Sequence, residues 1–254
     1  MIIHARLKYL ASVFWDADSL VANPGDISAL LKELSPFNLL PMTVIEPTMT
    51  GPVTRMAFQT LNGEIRIIAT GKRLDVFKFP TDSTGTNMGT LNDFVSNSAK
   101  YFEICLGYFK RKGNRLALIQ EGVFSKLDEG ELQAVCNKLF RLPDIYTAHS
   151  PFEWDWKNIC RVPHTFNGKT ENVNTLAHLD RGQFILGPVS PISVTSSGVK
   201  LDAIKFEFDL NTPYDNPNLR FDVSDVISFL KNAVLWHSEL LESISKSITE
   251  QINA

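Results

Sequence analysis

Residues 53–79, VTRMAFQTLNGEIRIIATGKRLDVFKF, constrain the fold of this chain most strongly. The stretch holds three runs rich in β-branched and aromatic residues. Asn62-Gly63 separates the first two runs, and Gly71-Lys72 separates the second from the third. An Asn-Gly pair between such runs is the strongest short signal for a β-hairpin. The sequence therefore predicts an antiparallel meander with a type I′ turn, in which Asn62 and Gly63 both have positive φ.

The rest of the chain alternates strand and helix patterns. Apolar residues recur every three or four positions in three segments, which predicts amphipathic helices at 91–111, 128–140 and 223–250. A strand is predicted at 5–15, with one face formed by Leu7, Tyr9, Ala11 and Val13. The proline-bearing run at 39–47 is predicted to be an edge strand or a connector. Together these patterns predict an α+β fold, with antiparallel sheets and helices packed on one side.

The two parts of the sequence follow a similar order of strands and helices. We predict an N-terminal α+β half at 1–145 and a C-terminal α+β half at 150–254 that ends in the long helix. The boundary falls near the loop at 143–151, and a single domain is the alternative. No sequence repeat supports an internal duplication, so the similarity of the two halves rests on the order of elements alone.

Composition excludes several classes of protein. The 254 residues carry a net charge of −3, with a sequence pI of about 6.0. Net charge therefore gives no indication of nucleic-acid binding. No secretory signal or apolar run of membrane-spanning length is present, so we expect a cytoplasmic protein that binds no membrane. The three cysteines have no zinc-like spacing and are expected to be buried free thiols.

The acidic stretch at 206–225, FEFDLNTPYDNPNLRFDVSD, raises the question of a metal site. It lacks the central glycine and closing glutamate of a calcium-binding loop, and prolines interrupt it. Asp222 directly precedes the apolar stripe of the last helix and is predicted to be its N-cap, with Asp225 in the first turn. The favoured interpretation is a strand followed by turns and a helix cap. No metal is predicted.

A catalytic alternative lies just before these turns. In DAIKFEFD, alternation places Lys205, Glu207 and Asp209 on one face of a strand. A metal-dependent hydrolase or nuclease uses such a set of carboxylates with a lysine. Exposed charges on an amphipathic strand give the same pattern. Searches for nucleotide-binding, zinc-protease and serine-hydrolase motifs find none, so no cofactor is predicted and the protein leans away from being an enzyme.

Five further residues are candidates for binding. His237 interrupts the apolar stripe of the last helix, and Trp236 lies beside it. His178 and Arg181 occur in AHLDRG at 177–182, which is predicted to be a polar loop. Arg220 precedes Phe221 in the acidic stretch. A histidine in an apolar stripe more often has one hydrogen-bond partner in the core than a ligand.

The sequence resembles a known family at both ends. FEFDLNT, the following Arg220-Phe221 and the helix LWHSELLESISKSIT at 235–249 resemble the C-terminal end of a sporadically distributed family of uncharacterised bacterial proteins of about this length. FQTLNGEIRIIATGKRLDVFKF is similar to its N-terminal strands. Leu241-Glu242 stands where that family tends to have Phe-Glu. The resemblance implies a layout without known catalytic residues, and the patchy distribution implies a place in antiviral defence gene clusters.

These observations favour a non-enzymatic binding or assembly protein of a bacterial multi-protein system. Two long helices with apolar stripes offer an interface, which predicts a protein partner or a homo-oligomer. The alternative is the metal-dependent hydrolase or nuclease that uses Lys205, Glu207 and Asp209.

Overall fold

A computed structural model describes residues 3–124, 127–186 and 199–252. Within this part of the chain the strands are β1 Ile3–Phe14, β2 Leu39–Thr48, β3 Gly51–Thr60, β4 Ile65–Ala69, β5 Arg73–Lys78, β6 Arg115–Phe124, β7 Trp154–Phe166, β8 Lys169–Leu186 and β9 Val199–Asn211. The α-helices are α1 Pro24–Leu34, α2 Leu91–Phe109, α3 Glu129–Leu139, α4 Asp144–Ala148 and α5 Val223–Ile252. The predicted α+β class is confirmed.

All of these strands form one antiparallel sheet in the order β2-β3-β4-β5-β1-β6-β9-β8-β7. The central strands, β1 and β6, begin two similar paths along the chain. Each central strand leads to a helix, α1 or α3, then to an outer strand, back through an antiparallel meander, and finally to a long helix, α2 or α5. The same path is thus followed twice, with four strands in the first meander and three in the second. β6 and α3 begin the second path but fall within 1–145, and one sheet runs through both predicted halves, so the division into 1–145 and 150–254 stays a prediction.

Helices α1, α2, α3 and α5 pack on one face of the sheet. Around α2 and α5 the core contains Tyr9, Ala11 and Val13 of β1. A second cluster holds Phe206 and Phe208 of β9 with side chains from α3 and α5. The prediction that Leu7 shares the face of Tyr9 is wrong. The pairing of β1 with β6 shifts register between Arg6 and Lys8, so Leu7 packs with the small cluster of Ala5, Val123 and Ala203.

The long helices begin and end near the predicted positions. The Thr90 hydroxyl accepts from the N–H of Asp93, whose carboxylate accepts from the N–H of Thr90, so a capping box starts α2. Lys110, with φ of 49°, ends this helix in the left-handed region, before the predicted limit at 111. The predicted N-cap of α5 is confirmed, since the Asp222 carboxylate accepts from the N–H of Asp225 at 3.1 Å.

The predicted meander is confirmed as β3, β4 and β5, but the type I′ turn at Asn62-Gly63 is wrong. Gly63 has φ of 71°, whereas Asn62 does not have positive φ. The N–H of Gly63 donates to the carbonyl of Thr60 at 2.8 Å, which closes an ordinary β-turn inside a four-residue loop between Thr60 and Ile65.

A two-residue turn with positive φ at both positions lies instead at Asn167-Gly168, with values of 48° and 72°. It joins β7 and β8, where Phe166 pairs with Lys169. AHLDRG lies inside β8, so its prediction as a polar loop is also wrong. Alternation explains the error, because Ala177 and Leu179 turn inward while His178 and Asp180 turn to the other face.

The two outer strands leave different parts of their backbone unpaired. The two residues that flank a two-residue turn hydrogen-bond to each other through their backbones. From there along each strand, successive residues direct their N–H and C=O groups alternately towards the partner strand and away from it. In β2, paired with β3 from Thr48 and Gly51, the outward-facing residues are therefore Leu39, Pro41, Thr43, Ile45 and Pro47. In β7, paired with β8 from Phe166 and Lys169, they are Asp155, Lys157, Ile159, Arg161, Pro163 and Thr165. The predicted edge position of 39–47 is confirmed.

None of the helices in the described ranges is long and apolar enough to cross a membrane.

Candidate binding surface

The face of the sheet opposite α1, α2, α3 and α5 is called the open face here. Alternation assigns to it, from β2 to β1, Leu40, Met42, Arg66, Ile68, Asp75, Phe77, Leu10 and Ser12. From β6 to β7 it carries Ile119, Glu121, Lys205, Glu207, Asp209, His178, Asp155 and Ile159. The first group is mostly apolar and the second mostly charged. The runner-up residues Lys205, Glu207 and Asp209 and the binding candidate His178 therefore share one face, as alternation predicted for the first three.

Ion pairs occupy much of the charged part of the open face. Glu121 contacts Lys8 and lies 3.4 Å from the Nζ of Lys205. Burial alone would raise the pKa of the Glu121 carboxyl, but these two lysines outweigh burial and lower it. Nearer the edge, the Nε2 of His178 lies 2.7 Å from a carboxylate oxygen of Asp155. The lysine and histidine are thus already engaged with carboxylates of neighbouring strands.

Asp209 lies in a different environment from the exposed acids. Burial raises the pKa of its carboxyl, against the lowering effects of Asn211 and Arg115. One of its carboxylate oxygens is buried without a hydrogen-bond partner. Asn211 in turn accepts from the side chain of Asn174 at 3.1 Å. A raised pKa favours the protonated form, which is a poor ligand for a divalent cation.

The apolar part of the open face contains one buried carboxylate. Asp75 accepts from the Ser12 hydroxyl at 2.6 Å and pairs with the Nε of Arg73 at 2.7 Å. Burial raises the pKa of Asp75 to about 6, although Arg73 and Ser12 act in the opposite direction. Leu10 is buried nearby, while Leu40 at the outer strand is 50% exposed. Leu40, at the edge of the sheet, is therefore much more exposed than Leu10 at its centre.

His237 and Trp236 lie on the helix side of the sheet, away from the open face. His237 is buried, and its Nε2 lies 3.0 Å from the carbonyl oxygen of Leu118. Burial lowers the pKa of His237 to about 4, so the neutral ring donates to this carbonyl. Trp236 stacks on His164 of β7 with ring centroids 3.8 Å apart. This geometry gives His237 one hydrogen-bond partner in the core.

Arg181 is also buried on the helix side of the sheet. Its Nη2 lies 2.9 Å from Glu129 and 3.4 Å from Asp202, and its Nη1 donates to the carbonyl of Pro151 at 3.1 Å. The guanidinium thus joins β8 to the start of α3 and to the connection before β7. An arginine used in this way fixes the arrangement of three segments.

Arg220 holds the loop between β9 and α5. Its guanidinium forms a two-pronged contact with Glu171, at 2.9 and 3.1 Å, and lies over the ring of Phe221 at 4.3 Å. It also donates to the carbonyl of Asn216 at 3.1 Å. The structure therefore does not bring the candidates together. His178 is on the open face, His237, Trp236 and Arg181 are on the helix side, and Arg220 is in a loop.

Sequence reasoning missed Glu121 and the outer edge of β7. Glu121 lies between the apolar segments Leu116–Ile119 and Val123–Phe124, and only the pairing of β6 with β1 and β9 shows its two lysine partners. The edge was missed because the Asn167-Gly168 turn was not used as a hairpin signal. That signal was present in the sequence and fixes which residues of β7 face outward.

Within the described residues, no group of three or more His, Cys, Asp or Glu side chains is arranged to hold a metal ion. Cys105 and Cys136 are buried free thiols, whereas Cys160 of β7 is exposed, so the expectation of burial is wrong for Cys160. No protein-family model matches this chain, and no curated protein matches it either.

Proposed function

We propose that this chain is a non-enzymatic binding and assembly protein that works through its sheet. The observation that carries the proposal is the one-sided packing of the long helices. They cover one face, whereas the open face combines apolar side chains near β2 with paired charges near β7. A surface that mixes apolar side chains with charges of both signs suits a protein partner better than a nucleic acid.

The ion pairs on the open face weigh against the hydrolase alternative. A catalytic set needs carboxylates free to bind a cation and a lysine free to contact the substrate. Here Lys205 engages Glu121, and burial favours the protonated form of Asp209. These contacts support a surface of cross-strand charge pairs, which stabilise a sheet and define the pairing of its strands.

Site-specific photo-crosslinking tests the proposal. A photoreactive residue at Leu40 reports on the open face, and one at Leu235, which is 60% exposed on α5, is the matched control. We expect a defined protein adduct from position 40 in extracts of the source organism, with much less from position 235. Equal adducts at both positions, or an adduct only at position 235, would contradict binding through the open face.

Calorimetry with magnesium, manganese and calcium tests the alternative. We expect no tight binding of these cations by the natural chain or by Asp209→Ala, because the described ranges of the chain offer no cluster of three or more His, Cys, Asp or Glu side chains for a metal ion. Tight binding by the natural chain that disappears in the variant would establish a metal site and support the hydrolase.

The family resemblance supports a bacterial multi-protein system as the setting, with antiviral defence as its role and the cytoplasm as its place. Phage plating on cells with and without the gene tests the defence role. We expect plating to rise when the gene is removed. Unchanged plating on a broad phage panel would contradict this part of the proposal while leaving the binding surface intact.

A further inference from the structure

The outer edge of β7 offers an unpaired row of backbone groups. Asp155, Lys157, Ile159 and Arg161 follow one another at alternate positions with N–H and C=O directed away from β8. Pro163 is the next outward residue and has no N–H to donate, so the row ends there. No other described strand pairs with this edge. An open edge of this length is a template for one added strand.

We propose that the added strand is β7 of a second copy of this chain, antiparallel and centred on Asn158. In this register each Asp155 lies opposite Arg161 of the other copy, and each Lys157 lies opposite Ile159. The four outward residues of each copy then exchange roughly eight hydrogen bonds. Pro163 lies opposite residue 153, which is just outside β7 of the other copy, so the N–H that proline lacks removes no hydrogen bond between the strands.

Charge selects this register over its neighbours. A pairing centred on Ile159 places Lys157 opposite Arg161 twice, and like charges directly opposite each other destabilise a sheet. A pairing centred on Cys160 places Pro163 opposite Lys157 and removes hydrogen bonds. Of these three registers, only the one centred on Asn158 places Asp155 opposite Arg161, whose guanidinium also lies 3.3 Å from Asp215 within its own copy. The side chains of Asp155 and Arg161 are 66% and 48% exposed, so each is accessible to a second copy.

The helix side of the same edge provides a second argument. A cleft of about 190 Å³ lies between β7 and α5, and its lining includes Trp156, Cys160, Leu240 and Ile244. In the proposed register Trp156 of one copy lies opposite Cys160 of the other. The contact between the two β7 strands therefore runs beside the cleft and covers apolar side chains that the single copy leaves partly exposed. Ile159, which is 58% exposed, is covered on the open face.

The inference rests on the assembly part of the proposed function and names the partner at one edge. A disulfide gives the sharpest test, because Asn158 pairs with its own counterpart at a non-hydrogen-bonded position. The two Cα atoms then lie about 4.5 Å apart, within the range that a disulfide spans. Asn158→Cys is made together with Cys160→Ser, to remove the native exposed thiol. Ile45→Cys in the outward row of β2, with the same Cys160→Ser change, is the control at the other edge.

We expect mild oxidation to convert Asn158→Cys into a covalent dimer, at about tenfold greater yield than Ile45→Cys. Sedimentation of the natural chain should show a dimer, and Ile159→Pro should be monomeric with an unchanged circular dichroism spectrum. Proline at this outward position removes no hydrogen bond to β8, so the fold of each copy is kept while the pairing between the two β7 strands is lost. Equal disulfide yields at the two edges, or a dimer that survives Ile159→Pro, would overturn the proposal.

A charge exchange tests the register itself. Asp155→Arg and Arg161→Asp should each weaken the dimer by about tenfold, because each creates two like-charge pairs. The double variant should restore the dimer, because it recreates both pairs with reversed signs. Failure of the double variant to restore it would refute the register. Photo-crosslinking from Leu40 is independent of β7, so an adduct there with no dimer would reject this inference and leave the proposed function standing.

Discussion

The outer strands of the two halves, β2 and β7, end the same sheet but protect it differently. In β2, Pro41 and Pro47 occupy two of the five outward positions, so no more than two consecutive positions, Thr43 and Ile45, can donate. In β7 four consecutive outward positions can donate before Pro163 ends the row. Proline on an outer strand prevents the addition of another strand. The comparison indicates that one edge is closed and the other is available for assembly.

The largest effect is expected from opening the closed edge. Replacing Pro41 and Pro47 by valine restores both N–H groups, and β2 then has five outward donors in a row. We expect growing oligomers in sedimentation velocity, because a chain with two open edges can associate at both. Met42→Val, at an inward-bonding position of the same strand, is the control and should leave the distribution of the natural chain unchanged. A double proline variant that sediments like the natural chain would show that proline does not protect β2.

The two long helices offer the next comparison, since α2 is buried more completely than the end of α5. Phe102 of α2 is fully buried, so Phe102→Ala should lower the free energy of unfolding by about 3–5 kcal/mol. Leu241 of α5 is only partly buried against the cluster around Phe206. We expect Leu241→Ala to cost about 2 kcal/mol and Leu241→Asp to cost more.

Chemical denaturation measures these costs. If both Leu241 variants unfold like the natural chain but change its oligomeric state, the end of α5 contributes to an interface and not to the core of its own half.

The pH dependence of stability should differ in sign between the halves. Burial lowers the pKa of His237 to about 4, below that of the unfolded chain. His237 therefore contributes about 3 kcal/mol to the free energy of unfolding above about pH 6.5, and this contribution is lost as the pH falls through about 4. Burial raises the pKa of Asp75 to about 6. Asp75 therefore contributes about 3 kcal/mol to the free energy of unfolding below about pH 4, and this contribution is lost as the pH rises through about 6.

The two contributions oppose each other between about pH 4 and 6. In His237→Gln, whose amide can still donate to Leu118, stability should fall more steeply than in the natural chain as the pH rises through this range. Asp75→Asn should show the reverse slope. Urea denaturation at several pH values measures both, and parallel curves for the two variants would contradict the assignment.

The smallest effect concerns the two Asn-Gly turns. Gly63 and Gly168 both have positive φ, and a Cβ at either would meet no atom within 4 Å. The cost of replacing either glycine by alanine is then the backbone strain of an L-residue with positive φ, about 1–2 kcal/mol. We expect the full cost for Gly168→Ala, because a two-residue turn cannot readjust, and a smaller one for Gly63→Ala in its four-residue loop. Equal unfolding free energies for the two variants would contradict this difference.

Several elements were predictable because their signals are local. The capping residues of α2 and α5 and the glycine of the first hairpin act through contacts within a few residues. The face shared by Lys205, Glu207 and Asp209 follows from alternation alone. Leu7 was misplaced because a bulge shifts the alternation, and a bulge depends on the partner strand. The partners of Arg181 were not predictable, since Glu129 and Asp202 are distant in sequence.

The sequence by itself determined the kinds of element, most of their limits and which side chains share a face, because periodicity and turn chemistry act over short distances. Only the tertiary structure decided which strands are central and which are outer, because strand order depends on contacts between distant segments. That order makes Lys205 a partner of Glu121 and leaves the outer edge of β7 without a partner among the described strands. The difference has one physical cause. A residue's own chain neighbours set its local geometry, whereas its ionic partners and its access to another molecule are set by whatever segment packs beside it.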